Sequence, residues 1–228
     1  YKVKSGWIND WLMLGPTSTP INIKMTNSGN GVEEKNKVIS TFTPATLSFD
    51  APPIQSEKVI YHGKDYFWKL VHGKQDNRLE MNLFSYALNY FQVWAYCCII
   101  SQKKTLYSAA LTTGNAATVW LNGRKTYHSE AVAPLGFFEE ACHKLEFPLE
   151  SGENHIWLLL EDVSINETVL SAQLQIEANA PRLKVELKVF SRDVDYWLSV
   201  EDTYSRLTMD PLVSPSTRAI VIKCPHDS

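Results

Sequence analysis

The sequence predicts an all-β protein, a two-sheet antiparallel sandwich, on three observations. Short apolar and aromatic runs recur with turn residues between them. The run Phe91 to Ile100 (FQVWAYCCII) is apolar almost throughout, as a strand buried on both faces must be. Asn122-Gly123 stands between two β-type runs, and a type I′ hairpin turn needs positive φ at both central residues.

The elements follow in chain order. Trp7 to Leu14 (WINDWLML) reads as a strand stopped by Gly15-Pro16. Residues 15 to 37, rich in Thr, Ser, Asn, Gly and Pro, read as a long loop. An apolar stretch starts at Val38-Ile39 and runs through Phe42 and Leu47 to Phe49, where Ala51-Pro52-Pro53 breaks it. Tyr66 to Val71 (YFWKLV) is a short aromatic strand. Leu79 to Tyr90 has the best, though weak, helical period of the chain. After Phe91 to Ile100 come a polar turn, the strand Thr105 to Leu111, and the hairpin Ala117 to Leu121 with Arg124 to His128. Phe147 to Leu149 leads into the turn Ser151 to Asn154, then His155 to Leu160 and Val169 to Ile176. In the last of these, Leu170, Leu174 and Ile176 alternate with Ser171, Gln173 and Gln175, giving one wet face. Ala178 to Pro181 reads as a boundary: residues 1–180 form the sandwich, and 181–228 form a linker or open a following β domain, with further strands at Leu183 to Val189 and Ala219 to Ile222.

Composition excludes several classes. With 228 residues and 44% hydrophobic content, the chain can bury a substantial core. A net charge of −3 without a Lys/Arg cluster argues against nucleic acid, whose phosphates call for concentrated positive charge. No apolar run reaches the roughly 18–20 residues of a membrane-spanning helix, so no membrane partner is expected. The four cysteines form no CxxC pair and have no histidine at zinc-site spacing. Cys97 and Cys98, adjacent in a strand, point to opposite faces and are poorly placed to hold one metal together. Buried free thiols are the expectation, with no metal and no cofactor, and a cytoplasmic location is favoured slightly over a secreted one.

Three stretches together carry a resemblance: Asp10 to Pro16 (DWLMLGP); Val93 to Tyr96 followed by Leu106 to Leu111; and Val119 to Lys125 (VWLNGRK), continued by Leu145 to Leu149 and Ser151 to Ile156 (SGENHI). This pattern, over roughly residues 7–178, resembles the galactose-binding-like jelly-roll domain found N-terminal to catalytic domains in large microbial glycoside hydrolases. Thr17 stands where an aromatic commonly follows Gly-Pro, and Gly114 to Ala117 lacks the acidic residues the pattern often has, so no ion-binding role is carried over to that turn. The resemblance implies a fold and a parent protein rather than a reaction.

Catalytic constellations are sparse. Glycoside hydrolysis needs two carboxyl groups about 5–9.5 Å apart. Glu139-Glu140 and Glu161-Asp162 are adjacent pairs, which diverge in a strand, so they read as loop or solvated-face charges. The sequence contains no HExxH, GxSxG, P-loop or GxGxxG motif. No catalytic residue is named. Most tryptophans are expected in the core. Candidates for a carbohydrate or interface surface are Phe137 and Phe138, beside Gly136 in a loop, and Trp68. The expected function is a non-catalytic accessory or interaction domain of a larger carbohydrate-active enzyme, whose partner is the catalytic domain of the same parent chain. An autonomous carbohydrate-binding module is the first alternative, with carbohydrate as the partner. A catalytic β-sandwich such as a polysaccharide lyase, marked by a Tyr, a His and a basic residue in one cleft, is the second.

Overall fold

Two long strands organise the molecule in this computed structural model, which describes residues 3, 5–22, 31–43, 47–61, 63–74, 76–135, 137, 139–177 and 183–189. β5 (Leu79–Ser101) and β10 (Gly152–Ile176) pair antiparallel almost end to end, from Ser101 opposite Gly152 to Leu79 opposite Ala172. A register shift between Ser164 and Asn166 interrupts the ladder, and such a bulge bends a strand pair. β1 (Asp10–Pro20) lies on the other side of β5, and β4 (Lys69–His72) on the far side of β1. β10 pairs through Ile156 to Glu161 with β7 (Ala116–Leu121), which forms the predicted hairpin with β8 (Arg124–Ser129). Through Gln173 to Ile176 it pairs with β6 (Thr105–Thr113), which carries β9 (Ala141–Leu149) at its outer edge. The two ends of β10 therefore belong to two layers. Leu158 and Leu160 from one end share a single buried cluster with Leu170, Leu174 and Ile176 from the other, joined by Phe147 and Leu149 of β9. The all-β sandwich is the observed fold.

Alternation along β5 separates two apolar layers. Phe91, Val93, Ala95, Cys97 and Ile99 face the space between the sheets. Trp94, Tyr96 and Cys98 face outwards, yet are buried with Trp157 and Leu159 under a second cover that includes Tyr61 and Trp68. That cover comes from the hairpin of β2 (Lys58–Tyr61) and β3 (Lys64–Phe67) and from Phe49, whose ring meets Trp94, Trp120 and Trp157. The predicted burial of Phe91 to Ile100 on both faces follows from this double covering, and Cys97 and Cys98 point to opposite clusters as expected.

Several sequence expectations are corrected. Gly15-Pro16 does not stop the first strand: β1 continues to Pro20 through a register shift between Leu14 and Thr17. Pro16 falls inside that irregularity, where no ladder N–H is required of it. Within the stretch expected as loop, α1 (Gly31–Ser40) is a helix that includes Val38 and Ile39 and packs them against Tyr90, Ala116 and Val163. The helical period of Leu79 to Tyr90 is overridden by pairing, and this segment is the first half of β5. The aromatic run Tyr66 to Val71 is split at Trp68 between β3 and β4. Cys142 is exposed rather than buried.

The sandwich belongs to a compact unit of Tyr1–Val189; Phe190–Ser228 forms a second unit. Leu183 to Val189, expected as a linker or the opening of a following domain, lies in the first unit, with β11 (Lys184–Glu186) paired to β5 and Val185 in the inter-sheet core. The strand expected at Ala219 to Ile222 lies outside the described residues.

Candidate functional site

A shallow, open concavity lies where α1, the β6–β7 turn, the loop after β8 and the second half of β10 meet. Lys35, Gly114, Asn115, Asp162, Ser171 and Phe137 are among its lining residues. Its floor is polar and buried. Lys35 Nζ lies 2.5 Å from Asp162 Oδ1, and both side chains are almost fully enclosed. The same ammonium donates to the Ala133 carbonyl at 3.1 Å. Asn115 Nδ2 donates to Asp162 Oδ2 at 2.9 Å, Thr168 Oγ1 to the same oxygen at 3.3 Å, and the Val163 N–H to Oδ1 at 2.7 Å. Asn115 Oδ1 in turn accepts the Ser171 N–H at 2.9 Å.

The contacts of Lys35 and Asn115 join α1, the β6–β7 turn and the loop after β8 to β10, so the cluster is a clamp. Asp162 receives four donors, which fill its acceptor sites from within the fold. Asn36 strengthens the attachment by exchanging hydrogen bonds with the backbone of Ala131, both at 2.8 Å. Gly114 is required at the rim, because a Cβ there would lie 2.1 Å from the Glu139 carbonyl oxygen.

Phe137 occupies the mouth of the cleft and is 68% exposed. Phe138 lies outside the described residues. Trp68 is corrected: it is 3% exposed, packs edge-on against Trp157 at 5.9 Å, and has no face free for a sugar or a partner. Other exposed aromatics escaped the sequence reading. Phe84 and Tyr86, 56% and 90% exposed, stand two residues apart on β5 with their rings in contact at 4.8 Å. The only signal for them was period-two spacing in a segment whose helical period pointed elsewhere.

The acidic pairs do not converge. Glu161 and Asp162 diverge as expected, but both are buried, against the expectation of solvated charges. The Tyr90 hydroxyl donates to Glu161, and the Gln92 amide donates to Tyr90. Burial pushes the Glu161 carboxyl above its usual range, with the Tyr90 bond opposing the shift. Burial first, and the Glu161 carboxylate second, raise the Tyr90 phenol. Phe42 stacks on Tyr90 at 4.1 Å and helps close this network off. Glu140 is bonded to Arg78, which also holds Asp76 at 3.1 Å and is shifted upwards chiefly by its bond to Glu140. A Tyr and a His do meet on the outer face of the large sheet, where Tyr96 Oη lies 2.8 Å from His155 Nδ1. Cys98 and Glu153 bring a thiol and a carboxylate to the same imidazole.

No family model and no curated protein matches the chain. Among solved structures it is similar to a family 35 carbohydrate-binding module from an environmental isolate, at 16% identity and a TM-score of 0.30 over 44% of this chain and 71% of that one. It is also similar to a β-glucosidase from Kluyveromyces marxianus in complex with glucose, at 9% identity and a TM-score of 0.29 over 59% of this chain. The chain spans 15% of that enzyme's length.

Proposed function

We propose that this chain is a non-catalytic module of a larger carbohydrate-processing protein, with a galactose-binding-like jelly-roll arrangement, and that it acts by packing its Phe137 edge against the catalytic domain of the same parent chain. The observation that carries this reading is the contrast within the cleft. Its buried polar groups are paired with one another, while its rim presents a large exposed ring. A sugar site needs polar groups free to bond hydroxyls; an interface needs an apolar anchor to desolvate. Burying one Phe side chain contributes about 1.5–3 kcal/mol, and a few such anchors dominate an interface. The motifs from Asp10 to Pro16 and from Val119 to Ile156 support the parent assignment.

The test has two arms. The 228-residue chain alone is expected to hydrolyse no aryl glycoside or polysaccharide. In the parent protein, Phe137→Ala is expected to raise hydrogen exchange across residues 130–140 and to lower the inactivation temperature, with kcat on a small substrate unchanged. Glycan turnover by the isolated chain, or unchanged exchange in the variant, would defeat the proposal.

A second reading, an autonomous carbohydrate-binding module, is favoured by Phe84 and Tyr86, whose two exposed rings would suit the apolar face of a pyranose. Calorimetry with millimolar monosaccharides and short glycans decides it. Binding lost in Tyr86→Ala supports this alternative, and no heat for any sugar removes it.

A further inference from the structure

We propose that Cys98, Glu153 and His155 form a binding site for a divalent transition-metal ion, zinc by preference, on the outer face of the large sheet. The register assembles it. His155 lies directly opposite Cys98 in the β5–β10 ladder, and Glu153 precedes His155 by two residues. Residues opposite each other, and residues two apart, share a face, so all three side chains project to the same side. One ligand atom from each, the thiol sulfur, an imidazole nitrogen and a carboxylate oxygen, lies within 4.8 Å of the others. Ligands held about 2.0–2.3 Å from a tetrahedral ion stand roughly 3.3–3.8 Å apart. The contraction required is at most about 1–1.5 Å, within reach of the torsions of the exposed Glu153 side chain and a small tilt of the half-buried His155 ring.

The surroundings hold the imidazole in a ligating orientation. Its Nδ1 is engaged by the Tyr96 hydroxyl at 2.8 Å, which leaves Nε2, already 3.8 Å from Glu153 Oε2, as the ligating nitrogen. Tyr96 is itself fixed, being 1% exposed with its ring 4.7 Å from that of Trp157. A partner on the non-ligating nitrogen is the usual outer support of a metal-bound histidine. A thiolate with an imidazole selects zinc or a similar borderline ion over calcium or magnesium. The thiolate and one carboxylate together neutralise a dication, and Glu186, the register partner of Cys98 on β11, adds negative charge on the same face. The fourth position is open to water. Bound there, the ion would cross-link β5 and β10. This site is independent of the Phe137 edge and of the parent assignment.

Cobalt serves as the spectroscopic probe. Titrating the reduced full chain with Co²⁺ is expected to give a thiolate-to-cobalt charge-transfer band saturating at one equivalent, which Zn²⁺ then bleaches. Cys98→Ser should abolish the band, and Cys142→Ser, at an exposed thiol elsewhere, should leave it intact. Glu153→Gln and His155→Gln should each weaken Zn²⁺ binding at least about tenfold. Glu153→Gln, at an exposed position, keeps the test valid should Cys98→Ser fold poorly. Absence of the band, its persistence in Cys98→Ser, or unchanged Zn²⁺ affinity in Glu153→Gln would overturn the site.

Discussion

Asp162 uses both carboxylate oxygens inside the fold, and that use defines what its substitution does. Asp162→Asn keeps the shape but leaves the buried Lys35 ammonium without its counter-charge. Breaking one side of a buried pair costs about 3–5 kcal/mol, and denaturant unfolding should show a loss of that size. Replacing Lys35 and Asp162 together by apolar residues leaves no lone charge buried but strands the Asn115 amide and the Val163 N–H, so it should still cost about 1–3 kcal/mol for each. Glu161, its neighbour in sequence, makes a different prediction. Its folded-state carboxyl is raised above the ordinary 4.5 by burial. The folded form therefore holds its proton more tightly than the unfolded chain, so its contribution is complete below that ordinary value and is lost as pH rises through the raised one. Glu161→Gln keeps an acceptor for Tyr90 and removes this titration. The stability difference between variant and parent, followed by thermal melts from acid to neutral pH, should move in favour of the variant as pH rises. His128 and His143, whose imidazoles burial shifts downwards, slope the opposite way in both proteins and cancel in the difference.

At the scale of elements, the turn and both strands of the β7–β8 hairpin were readable, though not the register shift between Val119 and Trp120. Asn122 and Gly123 adopt φ of 51° and 76°, as a type I′ turn demands. The structure adds a second task for Asn122, whose Oδ1 accepts the His155 N–H at 2.8 Å and so ties the turn to β10. Asn122→Gly, which keeps the backbone conformation but loses that bond, should cost about 1 kcal/mol. Gly123→Ala meets only Phe49 Cβ at 3.9 Å, so its cost is backbone strain alone, about 1–2 kcal/mol in the same assay. α1 was illegible for a physical reason. Its attachment relies on Lys35 and Asn36 as well as on the adjacent Val38 and Ile39, so it shows no apolar stripe of helical period. The first half of β5 was illegible for the converse reason: the apolar spacing of Leu79 to Tyr90 fits a helix, and only pairing with β10 and burial of Leu79 and Tyr90 decide for a strand.

Over the whole molecule, three layers are stacked where two were expected. The inter-sheet core is one interface, and the aromatic layer of Trp94, Trp157 and Trp68 under Phe49 is a second. This second layer is why Trp68, at the break between β3 and β4, is core and not contact surface. Phe49→Ala removes one ring from contact with three tryptophans; a loss of about 2–4 kcal/mol is expected, with a shift in tryptophan emission as water enters.

Local chemistry in the chain was enough to determine the fold class, the double burial of Phe91 to Ile100, the opposed directions of Cys97 and Cys98, and the turn at Asn122-Gly123. Each depends on residue type and on spacing within a few positions, where the periods of strands and turns operate. The Lys35–Asp162–Asn115 clamp, the position of Phe137 above it, the burial of Trp68 and the meeting of Cys98 with His155 were decided only by tertiary structure. These groups lie tens of residues apart along the chain, and strand register, which is set by packing of the whole sheet, brings them together.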